Sequence, residues 1–429
     1  MSAADEPPVQ ALRILVCAYA CDPVRGSEHG VGWDWVRLIA QDHEVWLITE
    51  ADNEARIVAE VARRPEIAGR VEVVPVPRRP WHFTERSAVW RWIEDSPAKP
   101  LMHFAYVAWQ RDAHRLAQRL VRRTRFDLVH QLTYVGFRFP GRLWRLGLPF
   151  VWGPVGGLEN VPWRLLPELG LVGAAEFAGR NMVNSVQKAL LRSPRTAAHA
   201  AGPGLIAATS GMAEEMRRNW GMSPTVITEV TPPEPAAHQP AKRAPGEPLR
   251  IAWAGRHQPA KALPLLLRAL SRLEANVPWR LEIFGDGPMT GRWRRKARQL
   301  GLQDRCTWHG ALPRAEFLAH LGTAHLFVIT SLKDLTSTVL LEAIAQGIPV
   351  VCPDLCGFRD VVTPDCGITI PPANRQALES GFSDSVTMLS ADEPKRHAMG
   401  EAALRRASHF MPDAKRRDIA EVYGKALAC

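Results

Sequence analysis

The sequence has no run of about 18 apolar residues without a charge, the length that a membrane-spanning helix needs, so a transmembrane segment is excluded. No secretory leader is expected, because residues 1–10 are acidic and proline-bearing and the apolar run at 12–20 has no basic flank. A cytosolic protein is the expectation. Cysteine is scarce, with seven residues scattered at odd spacing and several inside apparent strands, which reads as reduced core thiols rather than a disulfide framework. Cys352, Cys356 and Cys366 raise a metal site, but no histidine stands near them, and no metal is expected. Charge is also in short supply: 23% of residues are charged against 46% hydrophobic, which excludes a disordered chain.

What is present is enough sequence for two cores, since 429 residues exceed one ordinary domain. Strand-like runs fall at 13–17, 44–49, 71–77, 128–133, 150–153, 205–208 and 226–230, with helical patterns between several of them. Residues 231–248 include six prolines and few large apolar residues, the composition of a linker. The alternation restarts at 250–254, 281–284, 306–309, 327–330, 350–352 and 368–370. Strands separated by helices imply parallel sheets covered on both faces. The chain therefore divides into an N-terminal doubly wound domain (1–230), a linker (231–248), a C-terminal doubly wound domain (249–412) and a last helix (413–429) expected to pack across the hinge. Two such domains meet in a cleft at the carboxyl ends of their strands, where open α/β sheets bind ligands.

The most informative stretch runs from Ser331 to Pro349. A strand ends at Ser331, Thr336 or Ser337 can cap a helix, and Gly347 with Pro349 closes it. Glu342 interrupts an otherwise apolar run, so its carboxylate needs partners: a ribose diol is one solution, and an Arg or Lys of the same domain is the other. Asp334 precedes the helix, where it can face a hydroxylated sugar while the helix start faces an anion. Upstream, Gly255 permits close backbone approach, and Arg256 and Lys261 bring two cations to a strand–helix junction. Cations there would stabilise the charge that builds on a departing diphosphate; read alone, they would simply be solvated.

The ordered set Gly255-Arg256…Lys261, Gly285-Asp-Gly-Pro288, Trp308-His-Gly310, Asp334 with Glu342, and Gly347-Ile-Pro-Val350 resembles the C-terminal domain of the family-4 retaining glycosyltransferases, over about 120 residues. In the first half, Cys21-Asp-Pro, Gly26-Ser-Glu-His-Gly-Val-Gly-Trp33, Asp127-Leu-Val-His130 and Trp152-Gly-Pro-Val-Gly-Gly157 look like the same family's cleft loops. The resemblance implies the GT-B fold, two Rossmann-like domains facing across a cleft, and transfer of a sugar from a nucleotide-diphosphate donor to a glycan, lipid-linked or small-molecule acceptor. It implies that Glu342 binds the ribose, Asp334 the transferred sugar, Arg256 and Lys261 the diphosphate, and the backbone at Ser337, Thr338 and Val339 the phosphate or sugar. His130 would face the sugar from the N-terminal domain, and Gly30 and Gly32 would admit the ligand closely. Front-face substitution needs neither a carboxylate nucleophile nor a metal, and the nucleotide sugar is a substrate rather than a cofactor. The family usually has a glutamate where Asp334 stands, one methylene shorter here.

The net charge of +10 is concentrated: residues 78–125 hold eleven Lys or Arg against four Asp or Glu. Within them Met102, Tyr106, Trp109, Ala113, Leu116 and Leu120 recur at helical spacing, with Arg111, Arg115, Arg119, Arg122 and Arg123 on other faces. With Trp81, Trp90 and Trp92 upstream, this helix is a candidate for resting on the inner face of the plasma membrane, in exopolysaccharide or other glycan synthesis; an ordinary core-facing helix fits equally. Two other functions share these features, a nucleotide-sugar epimerase and a non-catalytic sugar-binding protein. A nucleic-acid-binding module rests on charge alone, and no nucleic-acid partner is expected.

Overall fold

The computed structural model describes residues 11–77, 79, 100–232 and 239–429. The N-terminal sheet comprises β1 (Arg13–Ala18), β2 (Glu44–Glu50), β3 (Val71–Val76), β4 (Leu128–Thr133), β5 (Phe150–Val155), β6 (Leu205–Ala207) and β7 (Thr225–Val226). The C-terminal sheet comprises β8 (Leu249–Ala254), β9 (Trp279–Phe284), β10 (Cys306–Gly310), β11 (Leu326–Val328), β12 (Val350–Pro353) and β13 (Gly367–Ile370). Helices cover both faces of each sheet, so β4 and β5 are buried at every position, the polar His130, Gln131 and Thr133 of β4 included.

The strand orders are 3-2-1-4-5-6-7 and 10-9-8-11-12-13, and the pairings are parallel. Each order reverses at one place, between β1 and β4 and between β8 and β11. The loops leaving those strands diverge to opposite faces and open a crevice at the carboxyl ends. The doubly wound expectation is thus met in both halves. The run at 226–230 is the main difference in detail: pairing stops after Val226, because Glu229 and Val230 leave the sheet to begin the crossing between domains.

That crossing is anchored. Trp35 donates its indole N–H to the Glu229 carbonyl at 2.9 Å. Lys415 is almost fully buried and donates to the carbonyls of Glu229 (3.2 Å) and Val230 (3.0 Å) and to the Thr231 hydroxyl (3.1 Å), with its ammonium 4.9 Å from the centre of the Trp35 ring. Residues 240–243 dock on the C-terminal domain, where Arg396 donates to the Ala241 carbonyl at 2.8 Å and the Arg243 amide donates to Glu393. The linker is therefore fixed at both described ends; residues 233–238 lie outside the described residues.

The final helix, Pro412–Leu427, returns to the N-terminal domain. Its Ile419, Val422, Tyr423 and Ala426 join Ile14, Val16, Trp35 and Val151 in one core. The helix Pro100–Val121 is likewise a core element. Tyr106, Trp109, Ala113 and Ala117 are buried against Tyr19, Phe126 and neighbouring residues, while Arg111, Arg115, Arg119 and Arg122 face solvent. Of the two alternatives for that segment, the core-facing one describes Tyr106, Trp109, Ala113 and Ala117; the side chain of Met102, and Arg78, Trp81, Trp90 and Trp92, lie outside the described residues. No described helix is long and apolar enough to cross a membrane.

Ile419→Ala should cost about 2–4 kcal/mol, a buried aliphatic truncated in a packed core, read as a lowered urea midpoint of the N-terminal domain. An unchanged midpoint would show that the returning helix adds nothing to that core.

Candidate active site

The loop after β8 carries the first two cations. The turn Phe284-Gly-Asp-Gly-Pro stacks on this loop so closely that a Cβ at Gly285 would lie 2.1 Å from the Gly255 carbonyl oxygen, a contact that only glycine allows. The short helix Pro259–Lys261 ends in Ala262 at φ 45°, and Thr330 ties it to the adjacent strand by donating to the Lys261 carbonyl at 2.5 Å. Lys261 Nζ reaches Asp334 Oδ2 at 2.5 Å, a part-buried ion pair. Arg256 is exposed at the rim, and among the described residues its guanidinium makes no ion pair.

The loop after β11 supplies the rest. The Asp334 amide donates to Cys356 Sγ at 3.2 Å, and Asp334 Oδ1 accepts from the Leu335 amide at 3.1 Å. Thr336 donates its amide and hydroxyl to the two carboxylate oxygens of Glu229, at 2.9 and 2.8 Å. Ser337, at φ 71°, then turns the chain into the helix Thr338–Ala345, whose first amides have no partner within the helix. One turn in, Glu342 is buried and pairs with Arg314 at 2.9 Å. Burial raises the Glu342 pKa, and the Arg314 charge and hydrogen bond oppose the rise. Of the two solutions for Glu342, the structure shows the same-domain arginine in place; that arginine is half open to solvent and lines the cleft.

The N-terminal domain faces this set with another helix start. Ser27, at φ 57°, precedes Glu28–Asp42, and Glu28 Oε1 accepts from the Val135 amide at 2.5 Å, joining the loops after β1 and β4. Gly30 opens onto the cleft. Gly32 does not serve a ligand, because a Cβ there would lie 2.0 Å from the Ala20 carbonyl oxygen; it exists for helix–strand packing.

Between the two sets lies a cavity of about 630 Å³ that includes Gly156 and Gly157 from the N-terminal domain and Arg256, Lys261, Asp334 and Ser337 from the other. A second cavity of about 340 Å³ shares Ser27, Val31, Val230 and Thr338 with it and reaches Gly30, Arg37 and Arg314. The non-glycine residues at positive φ, Ser27, Ala262, Ser337 and Cys356, all border this cleft or support it. Such conformations cost about 1–3 kcal/mol each and persist where surrounding structure imposes them, characteristically at ligand sites.

The structure thus brings together Gly30, Gly255, Arg256, Lys261, Asp334, Ser337, Thr338 and Val339 around one cleft, with Glu342 just behind it. His130 is the exception and is corrected. It is fully buried, its Nε2–H donates to the Gly153 carbonyl at 2.8 Å, and its Nδ1 accepts from the Tyr423 hydroxyl at 2.8 Å. Both ring nitrogens are spent inside the N-terminal core, so it has none for a sugar.

Two cleft residues escaped the sequence. Lys333, with its pKa lowered by burial, donates to the Glu159 carbonyl across the domain boundary. Glu229, with its pKa raised by burial, holds the Asp334 loop through Thr336. Nothing in the pattern distinguishes either from a surface charge. The three clustered cysteines are buried, and among the described residues no group of three His, Cys, Asp or Glu could hold a metal.

Comparison with known proteins bears on the fold that frames this cleft. Residues 236–406 match the model of the family described as glycosyl transferases group 1. A D-inositol 3-phosphate glycosyltransferase of Corynebacterium aurimucosum is 28% identical over 219 residues, covering 48% of this chain and 51% of its own length. The chain spans about half the length of the curated relatives it matches. Among solved structures, Anabaena Alr3699/HepE in complex with UDP superposes with TM-score 0.59 at 16% identity, over 96% of this chain and 100% of that one. A glycosyltransferase from Rickettsia africae gives TM-score 0.62 at 15% identity, over 97% and 99%. At these identities the likeness shows the fold, the two-domain GT-B arrangement.

The buried histidine generates a pH test. Burial pushes the His130 pKa down from 6.5 to about 4. The unfolded chain takes up a proton below about pH 6.5 and the folded one does not, so this contribution is complete above 6.5 and drains away as the pH falls to 4, by about 3 kcal/mol. His130→Gln should flatten that part of a stability-against-pH curve measured by urea unfolding. An identical slope in the variant would refute the buried neutral imidazole.

Proposed function

We propose that this chain is a retaining, metal-independent glycosyltransferase that binds a nucleotide-diphosphate sugar in the interdomain cleft and passes the sugar to an acceptor held by the N-terminal domain. The observation that carries the reading is the Lys261–Asp334 pair at the start of the Thr338–Ala345 helix, with Arg256 beside it and a second helix start opposite. A diphosphate set against the amides at Ser337, Thr338 and Val339 would draw Lys261 toward its oxygens. Asp334, released from the lysine, would then accept from hydroxyls of the transferred sugar.

As the sugar–phosphate bond breaks, negative charge grows on the departing oxygen, and Arg256, Lys261 and the helix amides are preorganised to stabilise it. Glu342 would accept from the ribose hydroxyls, with Arg314 holding it ionised in its buried position. The shorter Asp334 is held by its neighbours, its amide on Cys356 and its carboxylate on Lys261. Glu28 and Glu229 are each committed to backbone or hydroxyl donors, which suits structural roles and leaves the acceptor oxygen to attack from the face that the leaving group vacates. The names of the curated relatives and of the UDP complex are consistent with a nucleotide donor and a polyol acceptor.

The test is a panel of nucleoside diphosphates and their sugars. The matching donor should raise the thermal midpoint, since it binds only the folded state. Arg256→Ala and Lys261→Ala should each lower kcat/KM by about 30- to 1,000-fold, the range for loss of one charge-stabilising donor. Glu342→Gln should abolish discrimination between ribose and 2′-deoxyribose donors. Retention is read from the anomeric configuration of the first product, and turnover only in the presence of acceptor separates transfer from epimerisation. No midpoint shift with any nucleotide would end the reading.

A further inference from the structure

The helix Gly170–Leu190 is anchored on one face and bare on the other. Asn181 and Asn184 grip the backbone of Val161 and Leu158, and Lys188 pairs with Glu215. The outward face carries two aliphatic clusters: near its start Leu171 is 91% exposed and Val172 82%, and toward its end Met182 is 63% exposed with Val183, Val186 and Leu190 beside it, while the small Ala175 and Gly179 fill the face between them. Nothing in the fold requires this, since alanine or charged residues would serve a solvated face, and six exposed large apolar side chains on one helix exceed the usual scatter of surface hydrophobics. The charges on that side, Glu176 and Arg180, neutralise each other at 2.8 Å.

The surroundings are cationic. The helix Thr290–Gln299 lies beside the start of the strip, with Arg292 3.0 Å from where a Cβ of Gly170 would stand. It carries Arg292, Arg294, Arg295, Lys296 and Arg298 and no acid. Trp163, half exposed, precedes the strip, and Arg192 and Arg195 are exposed just past its end.

We propose that this face is a docking surface for an anionic lipid bilayer, with the Gly170–Leu190 helix lying in the interface plane. An aliphatic stripe with cations at both ends and tryptophan at its margin is complementary to acyl chains beneath negative headgroups. A second copy of the chain would bring arginines against arginines, and charge repulsion opposes it. The inner face of the same helix is tied to the donor side of the fold, where Gly173 packs on Pro259, two residues before Lys261. The docking itself stands independently of the proposed transfer reaction, because it depends only on this surface.

The experiment is flotation of the full chain with vesicles of phosphatidylcholine alone or mixed with phosphatidylglycerol. The protein should float with the anionic vesicles and release at high salt. A triple variant, Val172→Asp, Met182→Asp and Val186→Asp, should lose at least about fivefold of the bound fraction, and Arg292→Glu with Arg295→Glu should lose a similar share, as expected for a mixed apolar and electrostatic interaction. All these positions are solvent-exposed, and an unchanged thermal midpoint checks that the variants fold. Arg115→Glu with Arg119→Glu, on the other basic helix, should leave flotation intact. Wild type remaining with the unbound fraction, equal flotation of the aspartate variant, or a concentration-dependent dimer abolished by the same aspartates without vesicle binding would each overturn the proposal.

Discussion

The carboxylate and carbonyl of Glu229 form the junction on which the two-domain arrangement depends. The carbonyl takes the Trp35 indole from the N-terminal domain and the Lys415 ammonium from the last helix, while the carboxylate takes Thr336 from the other domain. One residue therefore ties together the two sheets and the returning helix. A buried acid is costly unless hydrogen bonds and a nearby cation offset its lost hydration, and Glu229 has both. The position of Asp334, two residues from Thr336, is set through this junction by the N-terminal domain, so the loop after β11 in one half is shaped by the other half.

Electrostatics inside the cleft follow a consistent rule. Cations that would meet the ligand are either parked on a displaceable partner or left at the rim, as Lys261 and Arg256 are. Cations that hold structure are buried on carbonyls, as Lys333 and Lys415 are, with pKa values lowered by burial, that of Lys415 to about 8. An ion pair at a part-buried site contributes little net stability, because desolvation offsets attraction. In the proposed reaction, exchanging Asp334 for a diphosphate would thus cost little and would set the positive charge beside the leaving group.

Much of this was legible in the sequence. The strands, their parallel class and the cleft followed from alternating apolar runs, and the helix after Ser331 was marked by the misplaced acid Glu342; the expected cap is not there, because Ser337 caps with no side-chain bond and the Thr336 hydroxyl goes to Glu229. His130 was misread because its position at a strand end is shared by core and cleft residues. Its fate is decided by Tyr423, nearly 300 residues away, which no local pattern reveals. The same long range hid Glu229 and Lys333, whose partners lie on other elements. The basic helix at Pro100–Val121 showed an amphipathic period correctly, but periodicity cannot say whether an apolar face meets protein or lipid. The outer strip of Gly170–Leu190 went unnoticed because the inner face of that helix is polar, with asparagines and a lysine gripping backbone, which reverses the usual pattern.

The returning helix has a consequence for how the molecule is made. Residues 419–426 complete a core begun by β1, so the N-terminal domain is a discontinuous unit into which the C-terminal domain is inserted. Until that helix has been made, part of the apolar surface of the first sheet is uncovered, although the inserted half already has all of its own strands. A fragment ending near residue 411 would carry all strands of both sheets but would leave the Ile14, Val16, Trp35 and Val151 core without its covering helix.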